Sequence, residues 1–390
     1  MNICIVEASA HLPGHFSLEL AAFLRVLSRH AGVRLLTPFG MHDPPPPDLA
    51  SLVENLLDRT SLRDDTGTLY EHQMAFYRRV RAQIRASAPD VAHIYGYQSV
   101  FPLWRYLRYS STGIPTILNL KNLQRPQLDT RIPSSLRPLR SALSRALLTR
   151  LANGYLMHSQ EIRQEAITAG IDEKAVHQLM FGIDIPEDSV DRSAARSRLD
   201  LPEQKRILLF FGVIRPEKGL QHILPKLESL PDDFLLLVAG PDADRQIREM
   251  GQGVLLHSPK LLVHDGYVTS ENMATYFCAA DAVVVAHDPI FSGVSGVLMD
   301  AVRYLRPILG TTRGYTGQYV EKELLGATFT LESEEDFVRS ANRVTDKDWL
   351  RKQEITRHLQ SFRGRYTWEQ LIPEYLRVYE QVISQARSTR

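Results

Sequence analysis

Short apolar runs alternate with amphipathic stretches along nearly the whole chain. NICIVEA (2–8) reads as a buried strand, FSLELAAFLRVLSRHAG (16–32) as a helix with one apolar face, and VRLLTPF (33–39) as the next strand. Further strands are expected at DVAHIYGY (90–97), PTILNL (115–120) and GYLMHS (154–159). DPPPPD (43–48) admits neither helix nor central strand and marks an exposed loop. The same grammar restarts with RILLFFGVI (206–214), whose unbroken apolar character suits a strand covered on both faces. FLLLVAG (234–240), VHDGYV (263–268), DAVVVAH (281–287), RPILGT (306–311) and ATFTL (327–331) follow as strands between helices. Strand and helix in strict alternation predict an α/β protein built on parallel sheets.

Between the two series, FGIDIPEDSVDRSAARSRLDLPEQK (181–205) loses apolar density and gathers acids and prolines, which reads as a linker. The expected division is an N-terminal domain over 1–185, a C-terminal domain over 186–365 and a closing helical segment over 366–390. A length of 390 residues agrees with two domains rather than one core. Hydrophobic content of 44% and charged content of 23% are those of a globular chain, and a net charge of +1 gives no global attraction to nucleic acid. Cys4 and Cys278 lie in apolar runs and read as buried thiols of a reducing compartment. No apolar run approaches the ~20 residues that span a bilayer, and MNICIVEASA has no signal-peptide character, so a cytoplasmic protein is expected.

Candidate chemistry concentrates in three loops of the second half, all at carboxyl ends of expected strands, where open sheets bind ligands. The first, in FFGVIRPEKGL, carries Arg215 and Lys218. The second, GYVTSE, offers Gly266, Tyr267 and Val268 before a helix that Thr269 or Ser270 can cap. The third opens a helix with Ser292, Gly293, Val294, Ser295 and Gly296 and places Asp300 inside it. Small residues at a helix mouth leave amides free for an anion, and two nearby cations suit a diphosphate.

FGVIRPEKG, LLLVAGP, HDGYVTSENMATYFCAADAVVVAH and SGVSGVLMDAVRYLRPILGT together resemble the nucleotide-sugar half of the retaining GT-B glycosyltransferases of family 4. YTWEQLIPEYLRVYEQVI is similar to that family's closing segment, in which the last helix crosses back to the first domain. The resemblance implies two Rossmann-like, doubly wound domains facing each other across a cleft. It also implies a hexosyltransferase that needs neither metal nor cofactor. Arg215 and Lys218 would hold the donor diphosphate, the Gly293–Ser295 amides its phosphates, and Asp300 the ribose hydroxyls. The sequence departs from the family pattern at several points. Val213 occupies the usual arginine position, Ser292 stands for the first of two glutamates eight positions apart, and Lys121, followed by Asn122, stands for a histidine. On the acceptor side the resemblance points to Gly14, His15, His93, Lys121 and Asn122.

Other features have plainer explanations. Asp242 and Asp244 mimic a metal motif but precede a helix, as first-turn acids do. His93, His158 and His264 adjoin strands without metal-ligand spacing, as near-core histidines do. Residues 131–150 hold Arg131, Arg137, Arg140, Arg145 and Arg150 and no acid, and Leu136, Leu139, Leu143, Leu147 and Leu151 recur at near-helical spacing. This stretch can pack its leucines inward or meet an anionic membrane surface or a lipid-linked acceptor at the inner face of the plasma membrane. Two rivals to the transferase reading remain. One is a catalytically impaired nucleotide-sugar-binding relative with a regulatory role, suggested by Ser292 and Lys121. The other is a nicotinamide dehydrogenase, against which the loop EASAHLPGHFS argues because it lacks G-x-G-x-x-G.

Overall fold

The computed structural model describes residues 1–12, 16–57, 69–98, 100–108, 112–120, 137–186, 190–288 and 295–388. The chain forms two compact units, one of Met1–Gly182 with Trp368–Arg390, the other of Ile183–Thr367. The main chain therefore passes between units twice, at Gly182/Ile183 and at Thr367/Trp368.

Unit 1 holds β1 (Asn2–Glu7), β2 (Gly32–Thr37), β3 (Val53–Asn55), β4 (Val91–Gly96), β5 (Thr116–Asn119), β6 (Gly154–Met157) and β7 (Val176–Gln178). They form one sheet in the order β3-β2-β1-β4-β5-β6-β7, with every pairing parallel. The order reverses between β1 and β4, and the ladder there is irregular at Val6/Glu7. Val91–Gly96 is buried at every position, as a central parallel strand requires. The edge strands β3 and β7 are three residues each and carry too few apolar positions to register as strands in the sequence pattern. The last helix, Trp368–Ser388, buries Trp368, Tyr375 and Tyr379. Phe23 meets Tyr95, Trp368 and Tyr375 at ring-centroid separations of 5.1, 4.9 and 5.4 Å, so an aromatic cluster ties this helix to the sheet of unit 1.

Unit 2 holds β8 (Arg206–Phe211), β9 (Phe234–Gly240), β10 (Leu261–Asp265), β11 (Ala282–Val285), β12 (Ile308–Thr311) and β13 (Gly326–Phe329). Their order is β10-β9-β8-β11-β12-β13, again all parallel, with the reversal between β8 and β11. β10 ends at Asp265, earlier than the 263–268 expectation, and its last residue accepts a hydrogen bond from the Ala243 amide at 3.1 Å.

The expected linker over 181–205 needs correction. Asp191 caps a helix, Arg192–Arg198, by accepting from the Ser193 and Ala194 amides. Within it Arg196 is fully buried: its guanidinium donates to the carbonyls of Ala279, Pro202, Glu203 and Lys205 and to Asp281 Oδ2 at 2.7 Å. The polar composition that suggested a linker is a charged clamp inside unit 2. Cys4 and Cys278 are both buried free thiols, and burial pushes the Cys4 thiol up to about 12. Among the described residues no helix is long and apolar enough to cross a membrane.

Candidate donor site at the β8/β11 reversal

A parallel sheet offers a ligand crevice where its strand order reverses, and in unit 2 that point lies between the carboxyl ends of β8 and β11. β8 leaves the sheet through Gly212, at φ +91°, whose amide donates to the Ala239 carbonyl at 2.8 Å. A Cβ on Gly240 would lie 2.2 Å from the Gly212 carbonyl oxygen, so the two turns are stacked backbone on backbone. Gly266 continues the series: its amide donates to Gly240 at 3.2 Å, its φ is +140°, and the space beside it is open. Tyr267 and Val268, both partly buried, follow it, and Thr269 occupies the cap position of the Ser270–Ala279 helix without a side-chain capping bond.

After Gly212 the chain makes a single 3₁₀ turn, Pro216–Lys218, closed by Gly219 in the left-handed conformation at φ +78°. The turn is docked on the end of β11. A Cβ on Gly219 would fall 1.8 Å from the Ala286 carbonyl oxygen, and the Asp288 amide donates to the Glu217 carbonyl at 3.0 Å. This docking folds Lys218 back over the strand end. Its Nζ donates to the Phe211 carbonyl at 3.3 Å and lies 2.8 Å from where a Gly212 side chain would begin. Burial lowers the Lys218 ammonium to about 8, assisted by the Arg215 charge and opposed by Asp300 and Glu217. Arg215 itself is exposed, with Nη1 at 3.7 Å from Glu217 Oε1.

Asp300 sits in the Gly296–Arg303 helix. It is partly buried, and burial pushes its carboxyl up to about 7 against the pull of Arg303 and Lys218. Ser295 caps the helix by accepting from the Leu298 amide at 3.3 Å, so its hydroxyl is engaged. Ser292, Gly293 and Val294 lie outside the described residues.

One member of the site escaped the sequence reading. His287 follows β11, is buried, and approaches Thr316 Oγ1 with Nδ1 at 3.3 Å. Burial, helped by the Lys218 charge, lowers it to about 3, so at neutral pH it is an uncharged wall beside the lysine. Lys218, Asp300, Arg215 and His287 thus form one electrostatic group at the reversal point.

The acceptor-side expectations fare differently. His93 is a core residue: it is fully buried in β4, with Nδ1 at 2.8 Å from the Tyr379 hydroxyl and Nε2 at 2.8 Å from Asn119 Oδ1. Both ring nitrogens are committed to the fold, which corrects its placement beside an acceptor. Gly14, His15, Lys121 and Asn122 lie outside the described residues. His158 and His264 have ring nitrogens at 2.9 Å from the Leu179 carbonyl and 3.1 Å from the Tyr276 hydroxyl. Asp242 and Asp244 stand at the start of the Ala243–Glu249 helix, where Asp244 pairs with Arg248. Among the described residues no cluster of three or more His, Cys, Asp or Glu could hold a metal.

Two family models match the chain: Glycosyltransferase Family 4 over residues 19–186 and Glycosyl transferases group 1 over 205–347. A D-inositol 3-phosphate glycosyltransferase of Xylanimonas cellulosilytica is 30% identical over 138 residues, 32% of this chain and 33% of that protein. A GDP-mannose:glycolipid 4-beta-D-mannosyltransferase of Xanthomonas campestris pv. campestris is 27% identical over 159 residues, 37% and 45% of the respective chains. These matches therefore span less than half of either relative's length. Among solved structures, Anabaena HepE in complex with UDP and glucose superposes over 100% of both chains with a TM-score of 0.70 at 16% identity. WaaG, a glycosyltransferase involved in lipopolysaccharide biosynthesis, covers 96% of this chain and 98% of its own, with a TM-score of 0.68 at 16% identity. At such identities the likeness establishes the fold. Family models over both halves and a doubly wound sheet in each unit place the chain in the GT-B glycosyltransferases of family 4.

Proposed function

We propose that the chain is a retaining glycosyltransferase, moving a sugar from a nucleotide-diphosphate donor to a glycan or lipid-linked acceptor in bacterial polysaccharide assembly. The observation that carries this reading is the packing of Lys218 over the end of β8, at the reversal point of unit 2 and beside Asp300. A partly buried ammonium that no carboxylate among the described residues meets at ion-pair distance is costly, and a diphosphate would supply the missing counter-charge. Arg215, on the same turn and exposed, would reach the phosphates by leaving Glu217. Ionised Asp300 would accept from ribose hydroxyls, and the open backbone at Gly266, with Tyr267 and Val268, would border the base.

As the anomeric carbon–oxygen bond breaks, negative charge grows on the departing diphosphate. Lys218 and Arg215 would interact more strongly with that charge than with the intact donor, which is what lowers a barrier. Neutral His287 would exclude water without competing for the phosphates.

The acceptor is assigned to unit 1, and association with an anionic membrane surface at the inner face of the plasma membrane to its basic segment. In the Arg137–Leu148 helix, Leu139 and Leu143 are 70% and 56% exposed one turn apart, whereas Leu148 and Leu151 are buried in the unit 1 core. Arg145 and Arg150, both exposed, follow these leucines in the chain and carry positive charge. Arg131 and Leu136 lie outside the described residues. Liposome sedimentation checks this assignment: equal partitioning onto neutral and anionic vesicles at low salt would remove it.

A thermal-shift screen of nucleotide sugars followed by donor hydrolysis and transfer assays tests the main reading. Stabilisation by one donor with turnover supports it. Binding without turnover across all donors would favour an impaired, regulatory relative.

A further inference from the structure

Unit 1 carries its own feature at its own reversal point. A cavity of about 110 Å³ opens beside the carboxyl ends of β1, β2, β3 and β4. Its walls are apolar where Ala8, Phe39, Leu57 and Phe76 line it. At water's ≈ 30 Å³ apiece, it has room for on the order of four non-hydrogen atoms.

One polar group in this lining is set up to meet a ligand. Gln98 donates from Nε2 to the Ala8 carbonyl at 3.2 Å, which fixes its amide with Oε1 facing Gln73. Gln73 must then donate from Nε2 to that oxygen, at 2.5 Å, so its own Oε1 is left over. Gln73 is 5% exposed, lines the cavity, and among the described residues its buried Oε1 has no hydrogen-bond partner. A buried amide oxygen without a donor is costly, and the relay through Gln98 stops it from turning away. His11 and the partly buried His72 add ring nitrogens to the same lining, and His11 is held edge-on to Phe39 at 5.1 Å.

A small apolar pocket with one fixed acceptor calls for a group that is itself apolar at one end and a hydrogen-bond donor at the other. A sugar hydroxyl brings a donor and no apolar surface. An ammonium brings charge to a cavity that has no carboxylate among the described residues lining it. An N-acyl group brings both parts: the methyl fills the apolar floor, the amide N–H donates to Gln73 Oε1, and the carbonyl faces the ring of the partly buried His72. We propose that this cavity seats the N-acyl substituent of the acceptor, selecting an acetamido sugar over its hydroxyl and free-amine counterparts. The inference rests on unit 1 as the acceptor-binding half of the proposed transferase.

The test uses the full chain and three probes: the methyl glycosides of N-acetylglucosamine, glucose and glucosamine. Saturation-transfer NMR should show the acetyl methyl protons receiving the strongest saturation, and the other two glycosides should bind about tenfold more weakly or worse. Gln73→Leu conserves volume, removes the acceptor and should weaken the acetamido glycoside by roughly tenfold. Leu57→Trp, at a partly buried rim position, fills the space and should abolish the methyl signal, so the answer does not hang on one variant's folding. Equal binding of the three glycosides, no saturation at the acetyl methyl, or wild-type binding by Leu57→Trp would each overturn the inference. UDP, GDP and ADP binding to unit 2 is measured on the same samples. Nucleotide binding without acetamido selectivity defeats this inference alone, whereas loss of all nucleotide binding defeats the donor reading.

Discussion

Gly219 and Ala286 touch backbone to backbone: a side chain on Gly219 would begin 1.8 Å from the Ala286 carbonyl oxygen. With its φ of +78°, this closeness makes glycine the one residue that lets the Pro216–Lys218 turn lie on the end of β11. Gly219→Ala should therefore lift the turn and carry Lys218 away from the strand end, with loss of nucleotide binding. Gly251→Ala is the matched control, since Gly251 has a φ of +73° and nothing within 4 Å. It should cost only the left-handed strain of ~1–2 kcal/mol and leave binding intact. Calorimetric titration and thermal melts of the two variants check this.

Asp300 provides a stability test whose sign is opposite to that of an ordinary surface aspartate. Its folded-state carboxyl is raised from 3.8 to about 7, so between these values the folded chain binds more protons than the unfolded one. Stability contributed by this group is therefore present at low pH and lost as pH rises toward 7. Asp300→Asn removes the dependence: its melting temperature should exceed that of the wild type at pH 8 and match it near pH 4. The same variant should weaken nucleotide binding if the carboxylate holds the ribose.

Much of unit 2 was legible because its strands declare themselves. RILLFFGVI and FLLLVAG are long apolar runs, and the reversal of strand order then puts the loop with Arg215 and Lys218 where ligands bind. What the sequence hid is tertiary. Nothing in the pattern distinguishes His287 from any histidine after a strand, because its significance is a neighbour, Lys218, 69 positions earlier. His93 was misplaced for the converse reason, since its partners Asn119 and Tyr379 come from β5 and the last helix. The 181–205 stretch looked like a linker because charge normally marks solvent, and only the fold brings four carbonyls and Asp281 around Arg196. The three-residue β3 and β7 are held by neighbours rather than by propensity.

That buried clamp carries a prediction of its own. Arg196→Leu leaves four backbone carbonyls without their guanidinium donor, while Asp281 keeps Arg192 and the Ile207 amide, and should destabilise the chain by ~3 kcal/mol or more, with loss of cooperative unfolding in unit 2. Arg351→Ala, at a surface pair where the arginine side chain is 79% exposed, should leave the denaturation midpoint nearly unchanged. Denaturant titration of both variants distinguishes a structural arginine from a decorative one.

The ammonium at the heart of the site should also set the pH range of binding. Lys218 is lowered from 10.5 to about 8, and only its protonated form attracts a diphosphate. Affinity should climb as Asp300 ionises through about pH 7 and fall as pH rises through 8 to 9, more steeply than Arg215 alone would allow. His287, pushed down to about 3, should add no step near pH 6.5. A series of calorimetric titrations from pH 6 to pH 9.5 reads both.

The central claim is that Lys218 grips the pyrophosphate of an activated sugar, and nucleotide affinity of the Lys218→Ala variant tests it most directly. Titration of UDP, GDP and ADP into wild type and variant at pH 7 should find at least one nucleotide that binds the wild type and loses between about tenfold and a hundredfold in affinity with alanine, at a melting temperature no lower than that of the wild type. Undiminished affinity in Lys218→Ala, or no binding of any of the three to the wild type, would contradict it.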